Sequence, residues 1–357
     1  MTNRENYLSI ARRTGYEYMP VNFNMCPDLK ERYEAYVLEN GLELPIGEAQ
    51  VYDSPVYRAD DETFLSRYYK NKSFRPGTNI DVWGVAREPG SAAAYHMTQM
   101  HHPMEDFDSE EQILSYPMPE YSGEADEAKI LAVKAGRDAD RAIVGQMQCT
   151  IWEAAWKMRG MENLFCDMMG EDPMAEILFD KVTDIAVKRA VSYAKAGVDC
   201  LFLGDDVGMQ HTIMMSEELY GQWIKPRMKR VIDEAKAINP DLVVFYHSCG
   251  HVTELIPQFI EAGVDVLNPL QSECMDFKQI HDEYGDRLSF HGTIGTQTTM
   301  PYGTPDEVRK KVFENLDIAG KHGGLYVCPT HLLEPEVPVE NVVAYIKACI
   351  DYTNKLA

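Results

Sequence analysis

Six short apolar stretches alternate with helix patterns, and each stretch closes on polar or ligand-type residues. The stretches are apolar throughout rather than every second residue. Together these observations predict an α/β fold, a (β/α)8 TIM-type barrel with an N-terminal cap or insertion. The stretches are 141–148, 198–206, 242–250, 264–271, 287–295 and 324–331. β-Branched and aromatic residues fill them, as in strands buried on both faces. A seventh candidate, 18–23, lies near the start. A doubly wound open sheet has the same local pattern, but no GxGxxG or P-loop follows any strand, which disfavours nucleotide binding.

The intervening helices carry their own signals. Ser216 stands before Glu217 and Glu218, an N-cap with an acidic first turn. Pro226 should kink that helix or divide it. A second helix runs from a Thr253 cap to Gly263, and a third has Pro305 in its first turn, where proline is tolerated. Residues 337–356 form the last helix. Residues 24–140 are rich in Tyr, Pro and acids and show little periodicity. They read as a cap over the barrel mouth, with helices and a hairpin around Val82–Val85, inside one domain spanning 1–357.

Composition excludes several classes of partner. Of 357 residues, 45% are hydrophobic and 25% charged, enough for a large core. A net charge of -23 disfavours nucleic acid and anionic membranes, which require a basic face. No apolar run approaches the roughly 20 residues that span a bilayer. The first residues lack a secretory pattern, so a cytoplasmic location is expected. The eight cysteines are scattered without a CxxC pair, and are read as reduced.

The chemistry lies at the strand ends. Asp205 and Asp206, His247 and Cys249, Asn268 and Gln271, His291, and Cys328 with His331 each follow or end a predicted strand. In a barrel these ends converge on one face, where active sites are built. His247 and Cys249 are two residues apart, so they share a face with about 7 Å between them along the strand. Cys328 ends the last recognisable strand and is the natural third donor. One imidazole and two thiolates suit zinc, and three protein ligands leave a fourth position open for catalysis. The plainer reading is a buried His and Cys where a strand meets solvent, because His-x-Cys arises by chance. Asp205 and Asp206 are candidates for an acid/base group or a fourth zinc ligand, or one of them is simply a cap. Glu153 is placed to orient a ligand or substrate, while His291 and His331 stand as supporting or alternative groups at the rim.

Residues 204–271, 275–312 and 323–348, together with 152–168, resemble the uroporphyrinogen decarboxylase superfamily, and within it the cobamide-dependent methyltransferase branch. The resemblance implies the (β/α)8 barrel. Its zinc-binding methyltransferases use a His-x-Cys pair and a distant Cys, matched by His247, Cys249 and Cys328. The decarboxylases carry an arginine-rich N-terminal motif that "SIARRTGYEYMP" does not reproduce. The resemblance implies Zn2+ and methyl transfer between a small methylated substrate and a corrinoid (cobalamin). No DxHxxG-type motif is present, so a corrinoid carrier protein must bring that group. Asn268 and Gln271 would then contact substrate or the corrinoid tail. Tyr- and Met-rich stretches of the cap favour a methoxylated aromatic or other O- or N-methyl donor. Alternatives are methyl transfer to a coenzyme M-like thiol, a decarboxylase, and a barrel that only binds corrinoid or substrate. A homodimer is compatible with all four.

Overall fold

The structure is a computed structural model and describes residues 1–44, 49–53, 67–90, 99–121, 124–135 and 140–356. In chain order its strands are β1 (Ala49–Asp53), β2 (Asn79–Ile80), β3 (Ala86–Glu88), β4 (Gln99–His101), β5 (Ala142–Gln148), β6 (Cys200–Gly204), β7 (Val243–His247), β8 (Val266–Leu270), β9 (Ser289–Ile294) and β10 (Leu325–Pro329). Seven of them form one parallel sheet in the order β1-β5-β6-β7-β8-β9-β10. All six apolar stretches are strands of this sheet, in sequence order, as a barrel built from βα units requires.

The stretch 18–23 differs from expectation: it is not a strand. Pro20 has no N–H to give a ladder. Neighbouring backbone groups go to side chains instead, with Met19 N donating to Thr353 Oγ1 at 2.9 Å and Asn6 Nδ2 donating to the Tyr18 carbonyl at 2.9 Å. The segment still lies beside the last strand's exit. Leu333 donates to the Asn24 carbonyl and accepts from Cys26 N, both at 2.9 Å. Strand β1 falls inside the stretch read as a cap, yet it pairs with β5 from Ala49↔Ala142 to Asp53↔Gln146. Strands β2, β3 and β4 make a separate antiparallel sheet. The predicted hairpin is its β2–β3 turn, closed by the Asp81 carboxylate accepting from Trp83 N and Val85 N.

Helix signals act as expected, with one exception. Ser216 caps Glu217–Trp223, and the helix then breaks at Ile224 so that Pro226 opens a second one, Lys225–Ile238. Thr304 and Glu307 form a reciprocal capping box around Pro305. Thr253 instead begins a single 3-10 turn ahead of the helix Ile256–Ala262.

The barrel interior is filled from below. Helix Asn3–Ala11 inserts Tyr7, Leu8, Ile10 and Ala11 against Ala142, Val144, Cys200, Val243, Phe245, Val266 and Tyr326. Tyr7 stacks on Phe245 and leans on Tyr326, with centroids 6.3 and 4.8 Å apart. Val243 and Phe245 are therefore inward residues. Period two then brings His247 inward at the top of the same strand.

Candidate metal and substrate site

At the C-terminal mouth the end of β7 meets the loop after β6. His247 Nε2 lies 3.5 Å from Cys249 Sγ and 3.6 Å from Asp206 Oδ1, and Asp206 Oδ1 also accepts from Cys249 N at 2.8 Å. One donor atom from each of Asp206, His247 and Cys249 lies within 4.8 Å of the others. Two donors at ordinary Zn–N and Zn–S lengths around a tetrahedral ion stand about 3.5 Å apart, so the His–Cys pair has the spacing a shared zinc needs. Burial, and then the Asp206 carboxylate, push the Cys249 thiol up to about 12.

Asn268 fixes which face of His247 is available. Its Oδ1 lies 2.6 Å from His247 Nδ1, and its Nδ2 lies 2.5 Å from His291 Nδ1. Nδ1–H of His247 donates to the amide oxygen, which leaves Nε2 with a bare lone pair toward Cys249 and Asp206. The amide N–H in turn donates to His291 Nδ1. Burial, and then His247, bring His291 down to about 4, so it is neutral. Asn268 is thus a clamp between two imidazoles, and it also lines the cavity beside them.

The remaining predicted residues take distinct places. Cys328 is buried with Sγ 3.3 Å from His291 Nδ1 and 3.6 Å from its Nε2, and stands outside the Asp206–His247–Cys249 group. Burial raises its thiol pKa. Asp205 is 1% exposed and points away from the metal group, accepting from Ile151 N at 3.1 Å and Glu153 N at 2.8 Å. It caps the helix Trp152–Arg159, and burial followed by the Glu153 carboxylate pushes it up to about 8. Glu153 accepts from Lys157 Nζ at 2.6 Å and from Asp206 N at 3.4 Å, holding the Asp206 loop. Gln271 accepts from Gly250 N at 2.9 Å and fixes the turn after Cys249. His251 bonds the Cys274 carbonyl and Glu254, outside the group. His331 is exposed at the rim.

Beside His247 a cavity of about 350 Å³ opens between the strand ends and the segment Asn22–Asn24. Its lining includes Tyr7, Asn22, Gln146, Gln148, Phe202, His247, Asn268, His291 and His331. Gln146 and Gln148 were not among the sequence candidates. Their two-residue spacing above Val144, on a strand read as buried, is the signal that points them inward.

A family model described as uroporphyrinogen decarboxylase (URO-D) matches residues 126–352. The chain belongs to this family. A methylated-thiol–coenzyme M methyltransferase of Methanosarcina mazei is 27% identical to this URO-D member over 204 residues, 55% of this chain and 49% of the relative. Uroporphyrinogen decarboxylases of Chlorobium phaeobacteroides and Carboxydothermus hydrogenoformans are 25% and 29% identical, over 43% and 49% of this chain and 42% and 47% of theirs. The chain spans about half the length of the curated relatives it matches. Among solved structures, a methyltransferase from Methanosarcina mazei superposes with a TM-score of 0.64 at 18% identity, covering 99% of both chains. That likeness establishes the shared fold, a TIM barrel whose mouth carries the residues above. Among the described residues no helix is long and apolar enough to cross a membrane.

Proposed function

We propose that this URO-D family member is a zinc-dependent methyltransferase that moves a methyl group between a small methylated substrate and a corrinoid delivered by a carrier protein. The observation that carries this reading is the His247–Cys249 pair, with Nε2 and Sγ 3.5 Å apart at the barrel mouth and Nε2 bared by Asn268. Similarity to a methyltransferase that acts on methylated thiols supports it. When bound, zinc would act as a Lewis acid on the heteroatom that carries the methyl group.

The chain's own residues have separable tasks. His247 and Cys249 hold the metal, with Asp206 the third donor by position and Cys328 the third by family pattern. Asn268 sets the His247 tautomer, Gln271 fixes the Cys249 turn, and Glu153 steadies Asp206. In transfer from substrate to corrinoid, the carbon–heteroatom bond breaks with its electron pair left on the heteroatom, which takes up a proton. The acceptor supplies the pair for the new bond. Cytoplasmic location and a corrinoid carrier as partner belong to the same proposal.

The decisive experiment supplies reduced cobalamin and a panel of methoxylated aromatics, methylamines, methanol and thiols to the purified chain, with metal content measured in parallel. Methyl transfer that needs about one zinc per chain and disappears in Cys249→Ala is expected. A fully active, metal-free protein would sink the reading, and release of carbon dioxide from uroporphyrinogen would establish the decarboxylase instead.

A further inference from the structure

Where β5 leaves the sheet, a thiol and an amine are held in contact. Cys149 has a φ of 58, a left-handed value uncommon for a residue with a side chain. The next residue pins this turn. Thr150 N donates to the Gly204 carbonyl at 2.9 Å, Gly204 N donates to Thr150 Oγ1 at 3.0 Å, and Thr150 Oγ1 donates to the Met147 carbonyl at 2.7 Å. Held there against its backbone preference, Cys149 places Sγ 2.9 Å from Lys157 Nζ. Lys157 stands in the helix Trp152–Arg159 one turn after Glu153, whose Oε1 accepts from Nζ at 2.6 Å. The Lys157 and Glu153 side chains are 14% and 13% exposed, so the amine has little room to leave the thiol.

At this separation a single oxygen atom can join the two. We propose that Cys149 and Lys157 form a redox-modification site, at which dioxygen converts the thiol and the amine into a covalent Sγ–O–Nζ bridge. The ammonium first gives a proton to Glu153. The S–H bond, one N–H bond and the O–O bond then break, S–O and O–N bonds form, and the second oxygen leaves with both hydrogens as water. Sulfur and nitrogen each give up two electrons, and dioxygen takes all four. An excess of a dithiol returns thiol, amine and water, with two dithiols oxidised to disulfides for each bridge. Burial, and then Glu153, push the Cys149 thiol up to about 12, while Lys157 pulls it down. The pair therefore rests as thiol and ammonium, and the conversion is slower than that of an exposed thiolate. The bridge would take from Glu153 the ammonium it holds, beside the Asp206 N–H that its other oxygen accepts. The site stands whether or not the barrel mouth transfers methyl groups.

The test keeps the full chain free of oxygen and moves one portion to air-saturated buffer for a prolonged exposure. Trypsin cuts after Arg141, Lys157 and Arg159, so the unmodified pair yields the peptide 142–157. The bridge should block the cut at Lys157 and yield 142–159, one oxygen heavier and two hydrogens lighter than its sequence. Loss of the two hydrogens separates this product from oxidation of Met147 or Met158. Cys149 should resist alkylation until a dithiol is added. Lys157→Arg keeps a cation beside Glu153 without a primary amine, and Cys149→Ser keeps the turn without a thiol; neither should give the product. Bridged peptide in air alone, reversed by the dithiol, supports the proposal. An unmodified Cys149 after exposure, a sulfenic acid or disulfide in place of the bridge, or an equal amount of bridge without oxygen overturns it.

Discussion

Asn268 Oδ1 accepts from His247 Nδ1 at 2.6 Å, and this one bond decides that Nε2 faces Cys249. Asn268→Leu removes the acceptor while keeping a similar volume, so the imidazole loses both its tautomer and its angle. Partners of this kind are worth about 10–100-fold in metal affinity. Zinc competition against a chromophoric chelator should show a loss of that order. Asn268→Asp, which still accepts from Nδ1, should recover most of it. Native affinity in Asn268→Leu would show that the clamp is not used.

The third donor of the proposed zinc site is separable by mutation. His247→Ala and Cys249→Ala should each abolish metal binding, because both donor sets contain them. Asp206 Oδ1 is 3.6 Å from His247 Nε2, whereas Cys328 rests on His291. Asp206→Ala should therefore lower zinc content more than Cys328→Ala, as read by elemental analysis after dialysis. The opposite order would assign the position to Cys328. Unchanged zinc in all four variants would remove the site.

Asp205 and Asp206 are adjacent but are expected to fail differently. Asp205 is buried and satisfies the backbone of Ile151 and Glu153. Asp205→Ala strands those N–H groups, at about 1–3 kcal/mol of stability. Urea denaturation should show that loss, while the folded fraction keeps its metal. Metal loss without destabilisation would place Asp205 at the site rather than under a helix.

The difference between these two aspartates shows where sequence reading stops. Both follow the apolar run of β6, and only the fold sends one under the helix Trp152–Arg159 and the other to Cys249. His247 and Cys249 were legible as a pair from the His-x-Cys pattern at a strand end, but not through strand period: β7 ends at His247 and Cys249 lies in the turn beyond it, which folds Sγ back to 3.5 Å from Nε2. The contact of Cys328 with His291 was not, because it depends on how β9 and β10 are registered. The six central strands were legible from their continuous apolar runs. Strand β1, "AQVYD", is short and carries no such run, and it takes its place by pairing with β5. At 18–23 the apolar signal was real, since Met19 and Val21 are buried, but Pro20 and side-chain partners removed the ladder.

Gly204 tests how tightly His247 is placed. It lies opposite His247 in the β6–β7 register, and a Cβ added there would fall 2.6 Å from His247 Cβ and 2.9 Å from the His247 carbonyl oxygen. Its φ is not left-handed, so the added methyl acts through crowding and not through backbone strain. The strands cannot part cheaply inside a packed sheet, and overpacking of this kind costs about 1–3 kcal/mol. Gly204→Ala should lower the thermal midpoint and displace Nε2 from Cys249, with zinc affinity falling alongside. Gly41→Ala is the control, because nothing lies within 4 Å of its added Cβ and, at φ +58, its penalty is backbone strain alone. It should destabilise with zinc affinity unchanged. Native zinc binding in Gly204→Ala, despite a lowered midpoint, would show that the His247 position tolerates a shift that the proposed donor geometry does not.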